Sequence, residues 1–430
     1  MEKIIIKPRK LSGNVTIPPS KSLGHRGIIS AALSKGVSKV TNIQFSKDII
    51  ATIEIMKKLG AKIEINKDEL IIDGSDIFLN TSGQLQFQCN ESGSTLRFLI
   101  PIALIKNGEY VFHGKGKLVS RPLTSYYEIF EEKGIEYYTE EGRLPLKING
   151  CLKSGIYSLR GDISSQFITG LLFALPLLNG NSKIQVTTNL ESKGYIDLTL
   201  DVLISFGVEI KNEAYKVFKI KGNQSYMPGE FRIEGDYSQG AFYLVAGAIG
   251  SDIKCEALRK DSLQGDKVII DILKRMGCQF EETAEFIKAI PSKLKGIDID
   301  VSECPDLVPI LGVAASIAEG RTRILNGKRV RIKESDRLFA TASELNKIGG
   351  KITELKDGLI IEGIEGFKGG EVDSHNDHRM VMALAIAATR ASGDVVINDP
   401  MAIEKSYPNF FEDYKKLGGN MSEFNIRNEG

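Results

Sequence analysis

Six cations stand where helix-forming segments begin. Lys21 and Arg26 lie in Pro19-Ser20-Lys21-Ser22-Leu23-Gly24-His25-Arg26, and Arg97 closes Glu91-Ser92-Gly93-Ser94-Thr95-Leu96-Arg97. Lys333 and Arg337 bracket Lys333-Glu334-Ser335-Asp336-Arg337, and Arg379 ends Asn376-Asp377-His378-Arg379. The Ser, Asp and Asn residues have a plain role as N-caps, each worth about 1 kcal/mol. The cations do not, because a positive charge in a first turn opposes the helix dipole by roughly 0.3–1 kcal/mol. Scattered surface ion pairs contribute too little to account for the recurrence. Backbone N–H groups at a helix start, joined by cations, form an anion site. The pattern predicts more than one bound anion. In Gly235-Asp236-Tyr237-Ser238-Gln239-Gly240 there is no cation, and capping alone suffices.

The elements that must position these residues recur. Gly36, Gly108, Gly180, Gly250, Gly320 and Gly393 each close an apolar helix-like run, at intervals of 70–73 residues. Gly60, Gly134, Gly207, Gly277, Gly349 and Gly418 each follow an amphipathic run, at intervals of 69–74 residues. Glycine just after a helix reads as a left-handed cap, which other residues adopt only at a cost. Two series in step imply six copies of one unit. Each unit reads as a short strand (Gly13-Asn14-Val15-Thr16-Ile17), an apolar helix (His25–Lys35, Arg379–Arg390), an amphipathic helix (Ile49–Leu59, Phe339–Ile348) and alternating strands (Ala61-Lys62-Ile63-Glu64-Ile65). The fold class is α/β or α+β. Three units around one core make a domain of ordinary size. Two such domains are expected, joined near the breaker cluster Tyr226-Met227-Pro228-Gly229.

Composition narrows the function classes. The 430 residues are 42% hydrophobic and 26% charged, which excludes a disordered chain. The formal net charge is +1, so no global field recruits nucleic acid or an anionic membrane. Cys89, Cys151, Cys255, Cys278 and Cys304 are odd in number and widely spaced, so a disulfide framework or a zinc site is not expected. The start Met1-Glu2-Lys3-Ile4-Ile5-Ile6-Lys7 has too short an apolar core for a signal peptide. Apolar runs such as Phe167–Leu178 fall short of the ~20 residues of a membrane span. A soluble, cytoplasmic protein is expected. His375-x-x-His378 lacks the Cys or carboxylate neighbours of a metal site, and Gly114-Lys115-Gly116-Lys117 lacks the spacing of a phosphate-binding Walker loop.

Across these motifs the chain closely resembles the 5-enolpyruvylshikimate-3-phosphate synthases of the enolpyruvyl transferase family, from about Ile4 to Leu417. The resemblance implies two globular domains, each of three βαβαββ repeats with threefold pseudo-symmetry, and an active site in the cleft between them. It also implies that the N-terminal strand belongs to the second domain, with boundaries at 13–227 and at 1–12 plus 228–430. The family reaction moves the carboxyvinyl group of phosphoenolpyruvate onto the 5-hydroxyl of shikimate-3-phosphate. By match to family motifs, Lys21, Ser22, Ser164, Ser165 and Ser192 should hold the shikimate phosphate. Arg26, Asp306 and Lys333 should hold the ring and carboxylate, with Gln166 between the substrates. Phosphoenolpyruvate should meet Lys21, Gly93, Arg121, Gln166, Arg337, Arg379 and Lys405. Neither a metal nor an organic cofactor is needed, and the family suggests a monomer.

The reaction needs two acid–base groups, because a neutral hydroxyl is a poor nucleophile and the vinyl carbon must gain a proton. Asp306 and Glu334 match the family's residues, with Lys21 as a third participant; the resemblance assigns Asp306 as base and Glu334 as acid. Glu91 departs from the Asn of many members, and Arg329 sits where some use Asn on the shikimate phosphate. Gly93 keeps the room that glyphosate, a phosphoenolpyruvate mimic, requires, so inhibition is expected. One rival is UDP-N-acetylglucosamine 1-carboxyvinyltransferase, but the stretch Gly114–Pro122 lacks that enzyme's loop cysteine. The other is a non-catalytic anion-binding repeat protein or nucleic-acid binder. Setting aside the eight cations Lys21, Arg26, Arg97, Arg121, Lys333, Arg337, Arg379 and Lys405 takes the net charge from +1 to −7, which disfavours a polyanion partner.

Overall fold

The computed structural model describes residues 2–79 and 83–425. The chain divides into two compact units, Pro19–Glu234 and Met1–Pro18 with Gly235–Gly430. Each has its own apolar core. Among the described residues there are six four-stranded sheets of one plan. In the sheet of the third repeat, Ile156–Leu159 runs parallel to Ser182–Val186, which pairs antiparallel with Val217–Ile220, and Ile210–Glu213 closes the edge. Helices Ser165–Ala174 and Lys193–Ser205 supply the two crossovers, giving the order βαβαββ.

Three sheets borrow a strand from elsewhere in the chain, and this corrects the expected unit boundaries. Ser12–Thr16 precedes the first helix, yet it pairs in parallel with Asp252–Glu256 of the fourth repeat. Glu230–Arg232 precedes the fourth repeat's helix, yet it pairs with Val37–Thr41 of the first. The chain therefore passes between units after Pro18 and after Glu234, several residues beyond the expected 12/13 and 227/228. Breaker residues mark where a chain can turn, whereas strand pairing decides which core a segment joins. Glu2–Lys7 completes the sixth sheet between Val395–Asn398 and Asn420–Asn425.

The two helix types of each repeat differ as their sequences do. Tyr237–Ala248 and His378–Ala388 are buried at every position, which suits helices that are apolar all round. Lys47–Lys58 and Arg337–Lys347 bury one face; the first leaves Lys47, Glu54 and Lys58 exposed, the second Phe339, Asn346 and Lys347. A helix sheathed in apolar neighbours has only its ends free for polar chemistry. Among the described residues no helix is long and apolar enough to cross a membrane.

All six glycines of the second series have positive φ, from 66° at Gly134 to 113° at Gly60. In the first series Gly36, Gly180, Gly250 and Gly320 do, but Gly108 and Gly393 do not. At Gly393 crowding takes the place of the positive φ, since a Cβ would lie 2.9 Å from the Lys368 carbonyl oxygen; at Gly108 a Cβ would meet the Tyr110 side chain. Gly134 isolates the backbone effect, since it caps helix Thr124–Lys133 in the left-handed region with open space around it. Gly134→Ala is expected to destabilise its unit by about 1 kcal/mol, read as a lower urea midpoint with unchanged slope.

Candidate active site

The unit Pro19–Glu234 brings four helix starts to polar use. Ser20 caps helix Lys21–Leu33, its hydroxyl accepting from the Leu23 N–H. Lys21 thus opens the helix, and its Nζ lies 2.9 Å from Asp48 Oδ2. Asp48, in the first turn of Lys47–Lys58, went unnoticed in the sequence; it lies 27 residues on, with no local motif to link the two. Arg26 is the helix's sixth residue rather than a first-turn cation. It is buried, donating to the Ser22 carbonyl (2.7 Å), the Tyr195 carbonyl (2.9 Å) and Thr199 Oγ1 (2.9 Å). Phe98 lies under its guanidinium at 5.2 Å. Burial pushes its pKa down to about 10, with Tyr195 opposing, so it remains charged at neutral pH.

Helix Gly93–Ala103 is capped by Ser92 and begins at Gly93. A Cβ on Gly93 would lie 2.8 Å from Arg121 Nη1, so the absent side chain is what lets this buried guanidinium approach the helix start. Arg97 Nη1 donates to Gln166 Oε1 at 2.7 Å, and Gln166 Nε2 donates to Ser94 Oγ at 2.9 Å. Ser94 and Gln166 are 72 residues apart, one repeat period, so equivalent helix starts of neighbouring repeats meet here. Ser164 caps helix Ser165–Ala174, accepting from the Gln166 N–H. Ser192 is buried with φ 56° immediately before Lys193–Ser205, a helix without a side-chain cap. A Cβ on Gly116 would lie 2.6 Å from Glu91 Oε2, which places that departing carboxylate against the loop Gly114–Lys117.

The other unit gathers carboxylates and cations more tightly. Arg337 opens helix Arg337–Lys347 and is 1% exposed. Its guanidinium spans three carboxylates: Asp306 Oδ1 at 2.6 Å, Glu334 Oε2 at 2.8 Å and Asp377 Oδ2 at 2.8 Å. Arg379 Nη2 lies 3.2 Å from Asp306 Oδ2, and Lys333 Nζ lies 3.4 Å from Asp306 Oδ1. Burial works against ionisation of Asp306, but Arg379, Lys333 and Arg337 hold its pKa well below the usual carboxylate range. Burial lowers Lys333 to about 8, against the pull of Asp306 and Glu334 and with the help of Arg329 and Arg337.

Asp377 does more than cap. It accepts from the Arg379 N–H at the start of helix His378–Ala388, and also from Ser335 Oγ at 2.9 Å. Lys405 Nζ donates to both the carbonyl (2.6 Å) and Oδ1 (2.7 Å) of Asn376. Asp266, which no sequence motif marked, is buried and bonded to the Ser238 hydroxyl. Burial and the charge of Asp306 raise its pKa to about 6, with Arg379 opposing. Arg329 Nη2 donates to the Ser302 carbonyl at 2.6 Å. Asp236 caps its helix through the Ser238 and Gln239 N–H groups, as the reading of a plain cap required. Among the described residues no cluster of three or more His, Cys, Asp or Glu side chains is arranged for a metal ion.

An ionised carboxylate held by three cations, with a second carboxylate on the same guanidinium, can exchange protons beside bound anions. Residues 5–414 match the model of the family described as EPSP synthase (3-phosphoshikimate 1-carboxyvinyltransferase). A 3-phosphoshikimate 1-carboxyvinyltransferase of Clostridium perfringens is 57% identical over 424 residues, covering 98% of this chain and all of that one. The enzyme of that name from Clostridium kluyveri is 53% identical, covering 99% of this chain and 100% of its own. The structure of EPSP synthase from Acinetobacter baumannii superimposes with a TM-score of 0.82 at 28% identity, over 99% of this chain and 100% of that one. With nearly the whole length matched and six repeats of one plan, the chain belongs to the EPSP synthase (3-phosphoshikimate 1-carboxyvinyltransferase) family.

Proposed function

We propose that this chain transfers the carboxyvinyl group of phosphoenolpyruvate to the 5-hydroxyl of shikimate-3-phosphate, releasing inorganic phosphate. The observation that carries this reading is Asp306, held ionised by Arg337, Arg379 and Lys333 while Glu334 shares the Arg337 guanidinium. In the addition step Asp306 takes the hydroxyl proton, the oxygen bonds to the substituted vinyl carbon, and Glu334 delivers a proton to the terminal carbon. In the elimination step the terminal carbon returns a proton, the double bond re-forms and the carbon–oxygen bond to phosphate breaks. Lys21 takes a share of the proton traffic. Each step leaves charge on groups that arginines are already placed to meet, so little reorganisation is needed.

Lys21, Ser22, Ser164, Ser165 and Ser192 are assigned to the phosphate of shikimate-3-phosphate, and Arg26, Asp306 and Lys333 to its ring and carboxylate. Lys21, Gly93, Arg121, Gln166, Arg337, Arg379 and Lys405 are assigned to phosphoenolpyruvate. The buried caps and cations described above support these roles. The product feeds aromatic amino-acid synthesis. The chain acts as a cytoplasmic monomer in this reading, with glyphosate competing for the phosphoenolpyruvate groups.

The test is phosphate release from phosphoenolpyruvate with shikimate-3-phosphate or UDP-N-acetylglucosamine as acceptor. Release with the first alone is expected; release with the second alone, or with neither, refutes the proposal. A pH dependence follows from Lys333. Because its pKa is depressed to about 8, its charge is present at pH 7 and lost as pH rises through 8. Thus kcat/KM for shikimate-3-phosphate should fall on that alkaline limb. Lys333→Arg, which keeps its charge, should move the fall upward by about one pH unit or more.

A further inference from the structure

Among the described residues, one buried carboxylate belongs to none of the groups placed above. Glu344 lies near the end of helix Arg337–Lys347 with its side chain 0% exposed. It accepts from Ser343 Oγ at 2.9 Å, Lys347 Nζ at 2.7 Å, the Asp373 N–H at 2.8 Å and His375 Nε2 at 2.9 Å. Burial disfavours its charge, yet His375, Lys347 and the other donors hold its pKa at about 2. Two of those donors come from its own helix. The other two reach it from the segment that leads into the helix starting at His378.

That segment is strained. His375 and Asn376 have φ of 52° and 53°, two consecutive non-glycine residues in the left-handed region. Such a conformation persists only where its surroundings over-determine it. Ser374 Oγ donates to the Asp399 carbonyl, and the His375 N–H donates to Asp373 Oδ1. The His375 ring adds its bond to Glu344 and stands edge-on to Phe339, with centroids 5.8 Å apart. Directly downstream, Asn376 presents two oxygens to Lys405, and Asp377 receives Arg337. The backbone that His375 pins thus carries the partners of two cations.

We infer that His375 is a positioning residue: bridged to Glu344, it holds the 374–377 turn in the conformation that presents Asn376 to Lys405 and Asp377 to Arg337. It thereby sets the affinity for phosphoenolpyruvate, and in this it rests on the function proposed above. The charged groups facing its ring are Glu344 and Lys347 from the helix and Asp373 from the preceding strand. Glu344 and Asp373 favour the imidazolium and outweigh both burial and Lys347, so His375 stays protonated to higher pH than an ordinary histidine. The pair His375-x-x-His378 therefore serves an ion pair at its first member.

The test combines steady-state kinetics with NMR titration of the chain's four histidines. His375→Phe should raise KM for phosphoenolpyruvate at least tenfold while kcat changes less than threefold. His375→Gln, whose side-chain N–H can still reach Glu344, should recover most of that loss. Glu344→Gln should bring the His375 pKa back toward 6.5, a shift that a merely space-filling ring would not show. Unchanged KM in His375→Phe with normal turnover in the unsubstituted chain overturns the inference alone. So does a Gln variant as impaired as Phe while melting at the same temperature. No turnover in the unsubstituted chain overturns the proposed function and this inference with it. Should His375→Phe fail to fold, the histidine titration in Glu344→Gln decides.

Discussion

Asp306→Asn is expected to lower kcat about a thousandfold, within the range that loss of one acid–base group produces. The substitution preserves shape and removes the negative charge that Arg337, Arg379 and Lys333 converge on. Arg337 keeps Glu334 and Asp377, so the fold should survive. Single-turnover kinetics separates the loss of chemistry from any change in substrate binding. A loss under tenfold would remove Asp306 from the role of base. The same variant changes the response to acid. A carboxylate whose pKa is lowered on folding stabilises the protein above its unfolded pKa, and that contribution disappears as pH falls through the folded value. Asp306→Asn should therefore lose less stability than the unsubstituted chain between pH 5 and the acid transition.

Arg337→Met is expected to give the largest loss of stability, about 3–5 kcal/mol at pH 7, because it strands a buried ion-pair partner. Asp377 is 0% exposed and would keep only the Ser335 hydroxyl and the Arg379 N–H among its described donors. Burial already opposes its charge; Arg337 and then His378 are what lower its pKa. Without the guanidinium, the cost of folding with this carboxylate ionised should shrink as pH falls and the group protonates. Urea unfolding of both proteins at pH 7 and pH 4 reads the difference, which should be smaller at pH 4. A loss below about 1 kcal/mol at pH 7 would show that the cluster relaxes without Arg337. Arg337→Lys should not restore the parent, since one ammonium cannot reproduce a planar fork with ends on three carboxylates.

How much was legible follows the physical range of each signal. Helix caps act within three residues, so Ser20, Ser92, Ser164 and Asp236 could be read directly. Cations at helix starts are an electrostatic anomaly with an equally local signature, and Lys21, Arg337 and Arg379 all stand there. Asp48 and Asn376 were missed as partners because their cations lie 27 and 29 residues away. The 27-residue step recurs between His25 and Thr52 and between Tyr237 and Gln264, because one helix of a repeat faces the start of the next. A repeat-aware comparison of positions would have found Asp48 by that step. Asp266 stands a similar step, 28 residues, from its partner Ser238, but its raised pKa comes from burial beside Asp306, which no spacing reveals.

The amino-acid order alone determined the six-fold repeat, the sequence of helices and strands within it, and the set of cations and carboxylates available for anion chemistry. Those features rest on glycine spacing, side-chain periodicity and capping, all interactions within one turn or one strand. Tertiary structure decided which core each strand entered, exchanging Ser12–Thr16 and Glu230–Arg232 between units. It also decided which charges meet: Arg337 reaches Glu334 three residues away, but Asp306 and Asp377 31 and 40 residues away. Backbone pairing and long-range Coulomb contacts depend on distances that only the folded chain defines, so neither could be read along the sequence.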